Sequence, residues 1–355
     1  MSDAAATKEI PRTAPPVTEP TVSPRLASLW KRGTDFLGCN VAILCGAMTW
    51  VSERNLVAAI SNAGAFGIIA CGAMTPALLD AEIKATQALT KKPFGVNLIT
   101  MHPQLMELVD VCGANNVQHV VFAGGVPPAD AIKRAKGFAK VTCFAPAAVL
   151  AKRLIKNGAD AIVIEGSEAG GHIGPVSTSV LAQEILPAIR DVPVFVAGGI
   201  GRGEAIVSFL EMGAAGVQMG TRFAAATESI AHPRFKQAFI RAAAREAMPT
   251  VQLDKRFPVI PVRALVNQGT EAFMEMQRHV LEKFTRGELD QQAAQLEIEH
   301  FWAGALRRAV IEGDVENGSL MAGQSVGMVT SEQPVAAIIT ELLQQAEAAL
   351  AARVG

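Results

Sequence analysis

DAIVIEGSEAGGHIG, Asp160 to Gly174, sets an apolar run directly ahead of a glycine-rich loop that holds one histidine, His172. Runs that are apolar on both faces are what parallel strands buried beneath helices require. A glycine-rich loop leaving such a strand is where α/β folds place their chemistry.

The same beat recurs on either side. VAILCGA from Val41, GIIACGA from Gly67, FGVNLI from Phe94, HVVFAGG from His119 and KVTCFAP from Lys140 precede it, and PVFVAGG from Pro193 and GVQMGTRF from Gly216 follow. Each is separated from the next by a stretch long enough for a helix. Thr75-Pro76 reads as a cap with a first-turn proline, and Ser52 as a cap ahead of ERNLVAAISNAG. Gly64, Gly113, Gly158 and Gly213 stand where helices stop. Eight strand–helix units predict an α/β fold, a closed (β/α)8 TIM barrel with its site on the loops that follow the strands. An open doubly wound sheet is the alternative, because strand order is not written in the sequence.

The expected organisation is a disordered tail over 1–35, the barrel over 36–223, a smaller, mainly helical subdomain over 224–317, and a returning segment over 318–355. The last carries GSLMAGQSVGMV, Gly318 to Val329, and a terminal helix. Trp30 and Trp302, outside the repeated units, are expected to anchor the tail or the subdomain.

Half of the 355 residues are hydrophobic, and 32 basic residues stand against 33 acidic ones, so no excess charge steers the chain toward nucleic acid or a membrane surface. The five cysteines, Cys39, Cys45, Cys71, Cys112 and Cys143, have no paired spacing, which argues against a disulfide framework or structural zinc. The first residues lack the apolar core of a signal peptide, and a cytoplasmic location is expected. No HxH, HExxH or clustered carboxylates occur, so no catalytic metal is expected. His102, His119, His279 and His300 read as packing or surface residues; His232, after the eighth strand, invites more interest.

Two further loops are suited to phosphate. AGGIGRG, Ala197 to Gly203, and QMGTR, Gln218 to Arg222, follow the seventh and eighth strands, where glycines let backbone N–H groups approach oxygen and Thr221 adds a hydroxyl. With CGAM, Cys45 to Met48, after the first strand and Asn97 on the third, they outline a pocket for a flat cofactor such as FMN. A Rossmann fold is disfavoured because no GxGxxG follows the first strand.

From Val41 to Thr330 the chain resembles the nitronate monooxygenases, formerly 2-nitropropane dioxygenases, together with the related FMN-dependent enoyl-acyl-carrier-protein reductases of the FabK type. EGSEAGGHIG, AGGI, QMGTRF and GSLMAGQ carry the resemblance, in that order. It implies FMN, with the backbone of Gly46, Ala47 and Met48 along the ring, Asn97 bonding the cofactor, and Glu165 and Gly170 beside the ribityl chain. Gly199, Gln218, Met219, Gly220 and Thr221 would hold the phosphate, and His172 matches the family's catalytic histidine. A monovalent cation near the flavin and a homodimer are compatible with the resemblance.

The first-strand loop departs from the family's QGGM or QAPM, and Glu165 stands where the monooxygenase branch has Gln. EGSEAGGHIG, Arg222 and GDVENGSLMAGQ are similar to the reductase branch. The leading expectation is oxidation of an alkyl nitronate by dioxygen to a carbonyl compound and nitrite, with His172 as base. The alternative is NAD(P)H-dependent reduction of an enoyl thioester. An acyl carrier protein would then dock on a basic patch of Arg241, Arg245, Lys255, Arg256 and Arg263. A catalytically idle flavin-binding barrel is the third reading.

Overall fold

The computed structural model describes residues 20–72, 74–251, 253 and 261–353, without the side chains of residues 299, 300 and 303. Residues 1–19 of the expected tail, Lys255, Arg256 and the His300 side chain lie outside the described residues.

Two short helices, α1 (Pro24–Leu29) and α2 (Lys31–Leu37), lead into β1 (Ile43–Cys45). The chain then runs α3 (Arg54–Asn62), β2 (Gly67–Ala70), α4 (Pro76–Leu89), β3 (Phe94–Ile99), α5 (Leu105–Ala114), β4 (His119–Ala123) and α6 (Ala129–Lys136). It continues with β5 (Lys140–Phe144), α7 (Ala148–Lys156), β6 (Ala161–Glu165), a two-residue strand β7 (Gly171–His172), α8 (Thr178–Ile185), β8 (Val194–Ala197), α9 (Gly203–Glu211), β9 (Gly216–Met219) and α10 (Thr221–Ala224). All eight expected strands are present. They form one parallel sheet in the order β1-β9-β8-β6-β5-β4-β3-β2. The ends join where Leu44 bridges Phe66: the Cys45 amide donates to Phe66 O at 2.9 Å and the Phe66 amide to Ile43 O at 3.0 Å. The fold is therefore a TIM barrel and not an open sheet.

Alternation along each strand divides the core in two. Leu44, Ile68, Val121, Val163 and Phe195 fill the barrel, while Ile43, Cys45, Ile69, Val120, Ile162 and Val196 pack outward against the helices. The N-terminal mouth is plugged by α2: Leu37 joins the inner cluster, and Phe36 meets His119 edge-on at 5.4 Å. Residues 24–35 thus belong to the folded body, which corrects their assignment to a disordered tail. Ser23 caps α1, Pro24 opens it, and Trp30 is buried, so the helix had a local start signal and a tertiary anchor.

Beyond β9 the chain makes an excursion through α11 (Pro233–Arg241), β10 (Ala247–Pro249), β11 (Val262–Leu265), α12 (Gln268–Thr285) and α13 (Gln291–Arg307), and then forms α14 (Val335–Ala352). The α12–α13 pair has its own core of Phe273, Val280, Ala294, Ile298 and Trp302, with the Phe273 and Trp302 rings 4.1 Å apart. This region also holds a small antiparallel sheet, β10-β11-β7, that joins it to the strand of His172.

Helix α14 packs against α9 and α3 and so occupies the eighth helical position of the barrel. The Gly203 amide donates to Gln345 Oε1 at 2.9 Å, and a Cβ at Gly203 would stand 2.2 Å from Leu342 O, so the two backbones are in direct contact. Among the described residues α14 is the helix long and apolar enough to cross a membrane. Its buried Ile338, Ile339, Leu342, Leu343 and Ala346 lie against the barrel.

Candidate active site

The sequence-derived site residues all fall at the carboxyl ends of β1, β3, β6, β8 and β9 or on the loops that follow. After β1, the Gly46 amide donates to Met219 O at 2.8 Å, which ties this loop to the end of β9. A Cβ at Gly46 would come 3.4 Å from Gln218 Nε2, and one at Gly220 3.3 Å from Met48 Sδ, so Gly46, Met48, Gln218 and Gly220 line adjoining walls. Ser52 sets the loop's shape: buried, it donates through Oγ to Gly46 O and accepts from the Met48 amide, both at 3.0 Å. It is not the cap of α3, as expected; Glu53 takes that place and accepts from the Asn55 and Leu56 amides. Asn97 is buried on β3, its Nδ2 fixed on Val121 O at 3.2 Å.

The loop after β6 is held from several sides. The Glu168 carboxylate accepts from the Thr178 amide at 2.8 Å and from Thr178 Oγ1 at 3.0 Å, closing it onto the start of α8. Gly170 lies against the returning segment: a Cβ there would be 2.5 Å from Gly323 N and 2.7 Å from Ala322 C. Gly171 and His172 then pair with Arg263 and Val262 of β11, and the Ile173 amide donates to Pro261 O at 2.9 Å. His172 is thereby an exposed side chain on an ordered backbone at the barrel rim. Below it, burial pushes the Glu165 carboxyl up to about 7, an effect the charge of His172 partly opposes.

On the β8 and β9 side, Gly199 has φ +70°, and a Cβ there would stand 2.8 Å from Glu168 Cβ. Thr221 is buried and accepts the Gly323 amide on Oγ1 at 3.0 Å, which leaves its own hydroxyl proton to donate. Met219 and Gln218 are buried beside it. Arg222 is committed elsewhere: its guanidinium donates to Gly201 O and Met328 O, both at 3.2 Å, and to Glu341 Oε2 at 2.9 Å, pinning α14 to the barrel.

Some expectations fail here. Arg263 is buried, donating through Nε to Ser167 O at 2.8 Å, and has no place in an exposed basic patch; Arg241 and Arg245 are exposed. His232 caps α11 by accepting the Arg234 amide and is structural. No role at the site was expected of Ser52, read only as a helix cap, or of Glu168, Thr178 and Gly323. Glu168 lies inside EGSEAGGHIG and Gly323 inside GSLMAGQ, but the contact of the returning segment with Gly170 shows only in three dimensions.

The chain matches the family described as nitronate monooxygenase over residues 31–112 and 105–345. It is 36% identical over 208 residues to the (3aS,4S,5R,7aS)-5-hydroxy-7a-methyl-1-oxo-octahydro-1H-indene-4-carboxyl-CoA dehydrogenase of Rhodococcus jostii (strain RHA1), a match that spans 58% of each chain. A probable nitronate monooxygenase of Bacillus subtilis (strain 168) is 27% identical over 338 residues, covering 83% of this chain and 92% of that one. Among solved structures, FabK from Thermotoga maritima superposes with a TM-score of 0.81 at 37% identity over 91% of this chain and 98% of that one. Nitroalkane oxidase from Streptomyces ansochromogenes does so with a TM-score of 0.73 at 27% identity over 90% of this chain and 99% of that one. With its eight-stranded barrel and its histidine on the loop after β6, the chain belongs to the nitronate monooxygenase family, whose members are oxidoreductases.

Proposed function

We propose that the chain is an FMN-dependent oxidoreductase that acts beside the carbonyl of an acyl thioester, with His172 as the acid–base group of the protein. The observation that carries this reading is the placing of His172 at the rim, on a backbone fixed by β11, with the raised Glu165 carboxyl below it. The residues present fit FMN. Gly46 and Gly220 leave open the space that side chains would fill between the β1 and β9 loops, and Thr221 keeps a hydroxyl proton for a phosphate oxygen. Bound FMN would supply hydride exchange with a nicotinamide donor and with the substrate carbon.

The chain's own groups account for the rest. Glu165 keeps its proton up to about neutral pH, so it offers a donor instead of a second negative charge next to an anionic cofactor. His172, exposed to substrate, would polarise the thioester carbonyl and deliver or remove the proton at the α-carbon while hydride moves at the β-carbon. Thioesters are favoured because FabK, at 37% identity, and the CoA-ester dehydrogenase, at 36%, are more similar to the chain than the nitroalkane oxidase and probable nitronate monooxygenase, both at 27%.

A second reading, oxidation of an alkyl nitronate by dioxygen to carbonyl compound and nitrite, is supported by the family match and by the extent of the nitroalkane oxidase superposition. There His172 would take the proton of a nitroalkane and steady the nitro oxygens. Anaerobic mixing separates the two. Bleaching of bound flavin by NADH or NADPH, with colour restored by an enoyl-CoA or an enoyl-acyl-carrier protein, supports the thioester reading. Bleaching by propyl nitronate alone overturns it in favour of the second, and no response to any of them favours an idle barrel.

A further inference from the structure

We propose that Arg263 is a positioning residue for His172, acting through the backbone of the glycine-rich loop from within the subdomain; this rests on the role given to His172 above. The loop from Glu165 to Gly174 contains four glycines, Gly166, Gly170, Gly171 and Gly174, and has little conformational preference of its own. Its geometry therefore has to be imposed from outside. Thr178 grips it from the barrel side through Glu168, and Gln324 donates its amide to Glu168 O at 2.9 Å from the returning segment. Arg263 provides the subdomain's side-chain tie.

The register of the small sheet defines how Arg263 acts. Val262 faces His172 and Arg263 faces Gly171, so side-chain alternation sends Val262 and His172 to one face of the sheet and Arg263 to the other. Arg263 thus lies behind the strand whose front carries the imidazole. From there its guanidinium spans two segments, donating through Nε to Ser167 O at 2.8 Å and through Nη1 to Ala247 O of β10. One planar fork links the β6 loop, β10 and β11 at the point where His172 is presented.

Burial makes this a costly choice for packing alone. The side chain is 6% exposed, both of these acceptors are neutral carbonyls, and desolvation pulls the guanidinium below its ordinary range, with the charge of Glu168 partly offsetting this. An apolar residue of similar volume would avoid the buried charge but would leave Ser167 O and Ala247 O without this donor, so what the arginine adds is the link between those two segments. A lysine would bring the charge but no rigid fork to span two carbonyls. The excursion between β9 and α14 thereby gains a role: it delivers Val262 and Arg263 to the two faces of the histidine strand.

The test uses full-length, FMN-loaded Arg263→Lys and Arg263→Met beside His172→Ala. Both Arg263 variants should hold flavin and keep the KM for NAD(P)H within about twofold, while kcat for thioester turnover falls at least about tenfold. The His172 ring signal in ¹³C-histidine-labelled protein, assigned by its loss in His172→Ala, should broaden or split in Arg263→Met. Arg263→Lys should restore little of either. An unchanged His172 signal, or a kcat within about twofold of the parent, overturns the proposal. If His172→Ala itself keeps full turnover, the role of His172 falls instead, and the ring signal still decides whether Arg263 positions it.

Discussion

Three alanine substitutions separate backbone strain from steric crowding around the β8 loop. Gly199 combines both: its φ is +70°, and an added Cβ would lie 2.8 Å from Glu168 Cβ, an atom fixed to its own backbone and unable to swing away. The left-handed backbone costs alanine about 1–2 kcal/mol, and forced overpacking about 1–3 kcal/mol more, so Gly199→Ala should lose about 2–5 kcal/mol. Gly213, with φ +106° and open space for 4 Å around the place a Cβ would take, isolates the first contribution and should lose about 1–2 kcal/mol. Gly174 has neither feature and should stay within about 0.5 kcal/mol of the parent. Urea unfolding of the three apoproteins, followed by far-ultraviolet circular dichroism, measures the series. A Gly199→Ala protein no less stable than Gly213→Ala would refute the close approach of Glu168. Because Gly199 lies on the proposed phosphate side, the same variant should also bind FMN more than tenfold more weakly, at about 1.4 kcal/mol per decade.

Burial drives His119 down to about 4, against an ordinary value of 6.5. The unfolded chain therefore takes up its proton first as pH falls, and up to about 3 kcal/mol of stability, fully present above 6.5, is lost on the way to 4. His119→Leu should flatten that slope in pH-dependent urea unfolding, and an unchanged slope would contradict the assignment. Glu165 works in the opposite sense: raised to about 7, it withholds a proton that the unfolded chain releases, so stability falls as pH rises from its ordinary 4.5 through 7. Glu165→Gln should make the apoprotein more stable than the parent at about pH 8 and not at about pH 4, and equal midpoints at both would count against a neutral carboxyl at Glu165. Ser52→Ala strands Gly46 O and the Met48 amide and should cost about 1–3 kcal/mol with weakened flavin retention, read by thermal unfolding and by flavin released on gel filtration. Full retention would mean that the β1 loop keeps its shape without Ser52.

The barrel was legible because each of its strands is a short run apolar on both faces, several of them preceded by a glycine-marked helix stop such as Gly158 or Gly213. What the sequence concealed depends on depth and distance. Leu37 follows Lys31, Arg32 and Asp35 in a segment with no strand of its own, and only the barrel's open base gives it a partner. Strands β7 and β10, of two and three residues, are too short to show a period. Arg263 has the residue type of a surface patch, and its burial follows from the pairing of β11 with β7, which no local pattern encodes. The glycines of the β8 and β9 loops and His172 could be singled out for the opposite reason: their conformational freedom and chemistry are properties of residue type. Ser52 shows the limit of that rule, since a serine ahead of a helix suits a cap as well as it suits the loop bond it makes.

A flavin held through its phosphate between the β8 and β9 loops, with its ring toward His172, is put to the test by titrating the apoprotein with FMN and with riboflavin, which differ only in the phosphate. Charge-assisted hydrogen bonds from backbone amides and Thr221, at about 1.5–3 kcal/mol each, predict one equivalent of FMN bound at micromolar concentration and riboflavin bound at least about a hundredfold more weakly. Equal affinity for the two, or binding of neither, would rule out a flavin anchored by its phosphate.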